Sequence, residues 1–174
     1  MSRPAAFLDR DGVLNVRLPG DTYVTRPEEL VLLPHAVEAV RELRARGYAI
    51  VVVTNQRGVA RGFMSAADLE RVHQELRGAL AARGAPIDAV YACPHGREGE
   101  PGAGCACRKP EPGLITQAAD ELDLDLARSV LIGDSERDIE SGRRAGVGRC
   151  LSIPSNGDAR AVLGEVPPLP RQPS

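Results

Sequence analysis

Asp9 and Asp11 stand one residue apart in FLDRDGVLN (7–15), directly after a short apolar run. In an extended segment residues i and i+2 face the same way, so both carboxylates can enter one cleft. Two anions held that close repel unless a cation lies between them or one takes a proton. Asp134 follows another apolar run, SVLI (129–132), and adds a third carboxylate if the two strand ends are neighbours. Three hard oxygen donors without His or Cys suit Mg²⁺ better than zinc. Thr54 and Asn55 follow the run AIVVV (49–53), and Arg108 and Lys109 lie in CRKPEPG (107–113). A hydroxyl, an amide, a forked guanidinium and an ammonium suit a phosphate. Phosphoryl transfer needs positioning, charge neutralisation and a nucleophile. An aspartate can be that nucleophile, forming an aspartyl-phosphate, and a second can move the protons.

A second constellation lies in CPHGREGEPGAGCACRKP (93–110). Cys93, His95, Cys105 and Cys107 are spaced C-x-H, nine residues, C-x-C. Three thiolates and one imidazole complete a tetrahedral Zn²⁺ shell with no open position, so the site would be structural. The loop is too rich in Gly and Pro to order by its own packing, and metal binding would supply that order. Zinc would then fix Arg108 and Lys109, which follow Cys107 directly. Cys150 reads as a core thiol, and His35 and His73 as residues without a functional part.

Each feature alone has a simpler explanation. Asp-Gly is a common turn, Asp134 could cap a helix, and Thr54 could be a buried hydroxyl. Their joint placement, each after a separate apolar run, favours chemistry.

The runs AAFL (5–8), AIVVV (49–53), DAVYA (88–92), SVLI (129–132) and VGRCLSI (147–153) read as buried strands. Helical spacing lies between them. Val37, Val40 and Leu43 form one stripe; Leu69, Val72, Leu76 and Leu80 a second; Leu114, Ile115, Ala118 and Leu122 a third. Ile139 marks a shorter helix ending near Gly146, and Ser65 with Asp68 resembles a capping pair. Strand alternating with helix predicts an α/β fold: a doubly wound, mostly parallel, Rossmann-like sheet with helices on both faces. Ligands in such folds sit beyond the carboxyl ends of the strands. We expect a single domain over 1–174, with a zinc loop at 93–107, no separate cap domain, and a loose tail from about 166 to 174.

The chain of 174 residues carries net charge −2 with interspersed signs, which argues against nucleic-acid binding. No stretch suits a membrane span, and the N-terminus lacks the apolar core of a signal peptide. The expectation is a cytoplasmic monomer acting on a small molecule.

DRDGVLN, TNQRGVARG, RKPEPG and GDSERD together resemble the four-part signature of the haloacid-dehalogenase superfamily of phosphatases. The resemblance implies Asp9 as nucleophile, Asp11 as general acid/base, and Thr54 and Lys109 as holders of the transferring group. It implies Mg²⁺ bound by Asp9, Asp134 and the backbone carbonyl of Asp11, with Asp138 in a supporting role. The CPH and CxCRKP elements are similar to a zinc-containing branch that includes heptose bisphosphate phosphatases and histidinol-phosphatases. TNQ-x-G-x-ARG and KP-x-PG resemble the D-glycero-D-manno-heptose 1,7-bisphosphate 7-phosphatase family more closely. That resemblance implies removal of the 7-phosphate from a sugar bisphosphate in heptose-nucleotide biosynthesis. Asn55, Gln56, Arg57, Arg108, Tyr23 and Ser135 become candidate substrate contacts, with Arg108 reading the distal phosphate. The alternatives are a histidinol-phosphatase or another small-ester phosphatase. A non-enzymatic alternative is a phospho-receiver-like signalling domain, which would carry its phosphorylated Asp after a later strand.

Overall fold

A computed structural model describes residues 2–169. Five strands form one parallel sheet: β1 (Ala5–Leu8), β2 (Ala49–Asn55), β3 (Ala89–Cys93), β4 (Val130–Gly133) and β5 (Arg149–Ser152). Their order is β3-β2-β1-β4-β5. Between them run α1 (Ala36–Ala45), α2 (Ala66–Ala81), α3 (Gly113–Leu122) and α4 (Glu136–Ala145). All five strands and all four helices fall where the apolar runs and stripes place them.

Strand side chains alternate between faces, and the core divides accordingly. Ala6, Leu8, Ile50, Val52, Val130 and Ile132 pack with Val40 and Leu43 of α1 and Leu76 and Leu80 of α2. Phe7, Val51, Val53 and Leu131 face the other way, onto Leu114, Ile115 and Ala118 of α3 and Ile139 of α4. Helix ends follow local chemistry. Ser65 and Asp68 form a reciprocal capping box on α2, and Ser135 with Asp138 forms another on α4. Asp134, a candidate cap in the sequence, is therefore not the capping residue.

The chain steps outward from β1 through β2 to β3, then returns to lay β4 on the other side of β1. This puts the topological switch point between β1 and β4, where such sheets open their ligand crevice.

One expectation needs correcting. Residues 166–169, assigned to a loose tail, are packed. Val166 is buried, Leu169 packs against the same core, and the Tyr48 hydroxyl donates to the Pro167 carbonyl at 2.8 Å. A buried apolar side chain and a satisfied carbonyl anchor this stretch despite its prolines. Residues 170–174 of the expected tail lie outside the described residues.

A polar cluster interrupts the apolar layer below α2. Arg10 is fully buried, and its Nη1 donates to His73 Nε2 at 3.2 Å. A guanidinium can only donate, so Nε2 accepts and the imidazole is neutral. His73 lies four residues after Leu69 and three before Leu76, on the buried face of α2. Burial, then the Arg10 charge, pushes its pKa down from 6.5 to about 3. An unfolded chain protonates this histidine below about pH 6.5 while the folded one does not. Stability supplied by the neutral ring is therefore lost as pH falls from 6.5 toward 3. Denaturant titrations at pH 7 and pH 5 should show His73→Gln losing less stability on acidification than the parent, by up to about 2 kcal/mol. Equal losses would show that His73 does not titrate this way.

Candidate active site and metal-binding loop

Four segments meet at the carboxyl end of the sheet. Asp9 and Asp11 follow β1, Thr54 and Asn55 close β2, Asp134 follows β4, and Lys109 arrives from the loop between β3 and α3. The cleft they line also holds Arg17, Asp21, Tyr23, Arg57, Arg97, Arg108, Ser135, Arg137 and Asp138.

Lys109 is buried, and its ammonium is fully engaged. It donates to Asp9 Oδ1 at 3.0 Å and to the Val53 carbonyl at 2.9 Å, and lies 2.5 Å from Asp138 Oδ1. Burial works against its charge, but Asp9 and Asp138 outweigh that and hold its pKa above the ordinary lysine value. Asn55 brackets the Lys109 backbone, accepting from its N–H at 3.0 Å and donating to its carbonyl at 3.1 Å. Asn55, expected as a substrate contact, therefore spends its amide on placing Lys109.

Asp11 points into a different set of partners. Its carboxylate accepts from Arg10 Nη2 at 3.0 Å, Asn15 Nδ2 at 2.9 Å and Gln56 Nε2 at 2.9 Å. Burial opposes its charge, yet Arg10, followed by the Asn15 and Gln56 hydrogen bonds, keeps its pKa below the usual carboxylate value. Gln56 is buried and also donates to Thr54 Oγ1 at 2.9 Å. This orients Thr54 and leaves the threonine proton for another acceptor. Gln56, too, was expected at the substrate; it orients two site residues from behind. Ser135 lines the cleft, but its hydroxyl donates to Asp138 Oδ2 at 2.8 Å within the capping box.

The acids ask for a cation. Burial, reinforced by Asp138, Asp134 and Asp11 against the pull of Lys109, pushes Asp9 up to about 7. Carboxylate oxygens of Asp9, Asp134 and Asp138 lie within 4.8 Å of one another. Asp138 uses both oxygens, one on Lys109 and the other on Ser135 and the Asp134 N–H. Asp134 Oδ1 is buried without any partner. Asp9 and Asp134 thus have spare lone pairs, and an orphaned anionic oxygen fits a hard divalent ion. The Asp11 carboxylate is outside this group. Two glycines permit the close approach. A Cβ on Gly12 would sit 2.1 Å from Asp134 Oδ2, and one on Gly133 would sit 2.3 Å from Asp138 Cβ.

The cysteine loop forms a second centre. Cys93, His95, Cys105 and Cys107 present ligand atoms within 4.8 Å of one another. Sulfur–sulfur distances are 3.0 to 3.6 Å, and His95 Nδ1 is 3.2 Å from Cys107 and 3.7 Å from Cys93. All four cysteines of the chain are free thiols. Burial and then the neighbouring Cys93 and Cys105 thiols raise Cys107 far above an ordinary thiol. These edges approach those of a tetrahedron with arms of about 2.3 Å. Gly113 seals the base of the loop: its N–H donates to the Ala106 carbonyl at 2.9 Å, and a Cβ there would sit 2.2 Å from that oxygen.

The outer wall joins three segments. Arg57 pairs with Glu100 of the cysteine loop and lies 3.6 Å from Asp21. Arg61 pairs with Asp21 at 3.1 Å and stacks over Phe63, whose ring centroid is 5.7 Å from that of Tyr23. Tyr23 is thereby held in the cleft wall, and Arg17 reaches Asp134 Oδ2 at 3.3 Å. Sequence reasoning missed Arg10, Arg97, Glu100 and Arg137. Arg10 was legible as the residue between two aspartates, and Arg137 lies within GDSERD; Arg97 and Glu100 carry no motif. Among the described residues no helix is long and apolar enough to cross a membrane.

Residues 4–146 match the family described as haloacid dehalogenase-like hydrolase. The chain is 39% identical over 161 residues to D-glycero-beta-D-manno-heptose-1,7-bisphosphate 7-phosphatase of Bordetella bronchiseptica, covering 92% of this chain and 87% of that one. It is 44% identical over 156 residues to D-glycero-alpha-D-manno-heptose-1,7-bisphosphate 7-phosphatase of Burkholderia mallei, covering 88% and 81%. The crystal structure of the B. bronchiseptica D,D-heptose 1,7-bisphosphate phosphatase, complexed with magnesium and phosphate, superposes with a TM-score of 0.77 at 38% identity, over 93% of this chain and 86% of that one. With the parallel sheet and its switch-point carboxylates, these similarities make this chain a member of the haloacid dehalogenase-like hydrolase family.

Proposed function

We propose that this chain is a Mg²⁺-dependent phosphatase that removes the 7-phosphate of D-glycero-D-manno-heptose 1,7-bisphosphate in heptose-nucleotide biosynthesis. The observation that carries the reading is the convergence of Asp9, Lys109 and Asp134 at the switch point, in a chain whose relatives bear that activity in their names.

Asp9 is the nucleophile. Its Oδ1 accepts from the Arg10 N–H at 2.8 Å and from Lys109, which fixes the carboxylate for in-line attack on phosphorus. The phosphorus–leaving-oxygen bond breaks as the aspartyl-phosphate forms. The Thr54 hydroxyl donates to a phosphoryl oxygen, and Lys109 helps hold the group by turning its ammonium from Asp138 or Val53 toward it; Mg²⁺, held by Asp9, Asp134 and the Asp11 carbonyl, would neutralise the remaining charge. Asp11 is the general acid/base. Arg10 and Gln56 keep it anionic at rest, and the charge of an arriving phosphate raises its proton affinity. It takes a proton from solvent as the phosphate binds, gives it to the leaving alkoxide, then takes one from the water that cleaves the aspartyl-phosphate.

In the same reading Arg108 contacts the distal phosphate, and Arg57 and Tyr23 line the sugar's path. Zn²⁺ on Cys93, His95, Cys105 and Cys107 is structural and anchors the Arg108–Lys109 pair. A histidinol phosphate would bring a cationic amine against Arg57, Arg97 and Arg108, which disfavours that alternative. A phospho-receiver is disfavoured by the hydrolase match over most of the chain.

Phosphate release with Mg²⁺ should be fastest from one anomer of the heptose 1,7-bisphosphate and slow from histidinol phosphate; preference for histidinol phosphate would overturn the substrate assignment. Asp9→Asn should abolish turnover while its circular dichroism and melting stay those of the parent. Appreciable residual activity would remove Asp9 as nucleophile. Metal analysis should find about one tightly held zinc per chain, and stripping it should lower the melting temperature. A zinc-free chain that is equally stable and active would exclude the zinc assignment.

A further inference from the structure

Six cations line the cleft: Arg17, Arg57, Arg97, Arg108, Lys109 and Arg137. Half of these cations are already matched. Lys109 serves Asp9 and Asp138, Arg17 serves Asp134, and Arg57 serves Glu100 and Asp21. Among the described residues Arg97, Arg108 and Arg137 have no carboxylate within 4.0 Å. Arg108 is tied only to the His95 carbonyl, at 3.0 Å.

Folding does not account for Arg137. It occupies the first turn of α4, where the helix dipole favours acids and disfavours cations. Glu140, the acid one turn on, is taken by Arg144 at 2.9 Å. Arg137 is nevertheless a lining residue of the cleft, two positions beyond Ser135, whose short side chain is committed to its cap. Arg97 likewise leaves its guanidinium free while its backbone N–H is held by Glu100 at 2.8 Å. Three guanidinium groups lining one cleft without a carboxylate partner leave uncompensated, mutually repelling positive charge there. A second anion relieves that repulsion; a hydroxyl or an amine does not.

We infer that Arg97 and Arg137 are substrate-binding residues that, with Arg108, select for a second phosphate in the cleft, beside the one that meets Asp9. The inference deepens the proposed phosphatase reading and rests on it for the position of the reacting phosphate. The second phosphate is held by charge-assisted hydrogen bonds from guanidinium groups on two separate segments, the cysteine loop and α4. The two arginines therefore tie preference for a bisphosphate to the relative placement of those segments.

The test measures binding, so that it does not depend on turnover. Calorimetric titrations in Mg²⁺ compare the non-hydrolysable hexane-1,6-diyl bisphosphonate with hexylphosphonate. The parent chain should prefer the bisphosphonate, and Arg137→Gln and Arg97→Gln should each cut that preference roughly tenfold. Arg137→Lys should retain most of it, and Arg143→Gln, on the same helix outside the cleft, should keep the parent preference. If the parent shows no preference, or if both ligands weaken equally in the two variants, Arg97 and Arg137 do not read a second phosphate. Failure of the heptose reading would look different: no release from either heptose bisphosphate, with the bisphosphonate preference intact.

Discussion

The site depends on a buried ammonium. Lys109 comes from a loop, yet its Nζ touches the residue after β1, a carbonyl of β2 and the first turn of α4. A lysine enclosed this way must be paired, because an isolated charge at that depth would give up its proton. Asp9 and Asp138 pair it, and the pairing works in both directions. It keeps Lys109 charged and holds two carboxylates that would otherwise repel each other. Asp138 then passes the constraint on, since its second oxygen caps α4 and receives the Asp134 N–H. One cation thereby registers β1, β2, β4 and α4 at a single point.

That arrangement explains why the cysteine loop lies next to the catalytic end of the sheet. A Gly- and Pro-rich loop has little to bury and would wander unless held. Four metal-competent side chains gather its two ends, Asn55 brackets the Lys109 backbone, and Gly113 lets α3 begin against Ala106. The loop also reaches outward, because its Glu100 takes Arg57 and so joins the wall that carries Asp21, Arg61, Phe63 and Tyr23. Inner and outer parts of the cleft are thus held by the same short segment.

A second polar device lies beneath Asp11. Arg10 reverses the usual preference of arginine for the surface, and it is tolerated because both ends of its fork find partners, His73 and Asp11. A neutral imidazole accepts from the guanidinium without neutralising it, so the positive charge is left for Asp11. The two aspartates of one motif consequently sit in opposite environments. Asp9 is crowded by carboxylates, while Asp11 is surrounded by donors. That difference lets neighbouring carboxyl groups take separate parts in one reaction.

Much of this was legible in the sequence, for physical reasons. Apolar runs of strand length alternating with helical stripes leave few alternatives to a parallel sheet, and polar residues after each run must then share one end of it. Metal-ligand types are equally explicit, since C-x-H and C-x-C leave little else for three thiols and an imidazole to do. Tertiary structure decided which partner each polar group took. Asn55 read as a phosphate contact because an amide after a strand faces the cleft in principle, and Gln56 as a contact through the family resemblance; packing turned them onto Lys109, Thr54 and Asp11. His73 read as inert, and only the approach of α2 to the first loop gave it Arg10. Residues 166–169 read as tail because their prolines hide one valine and one leucine that the core could cover. Hydrogen bonds and ion pairs are short-ranged and directional, so their partners are fixed by the placement of elements far apart in the chain. Periodicity and residue type act locally, and they determined the elements and the chemistry those elements could carry.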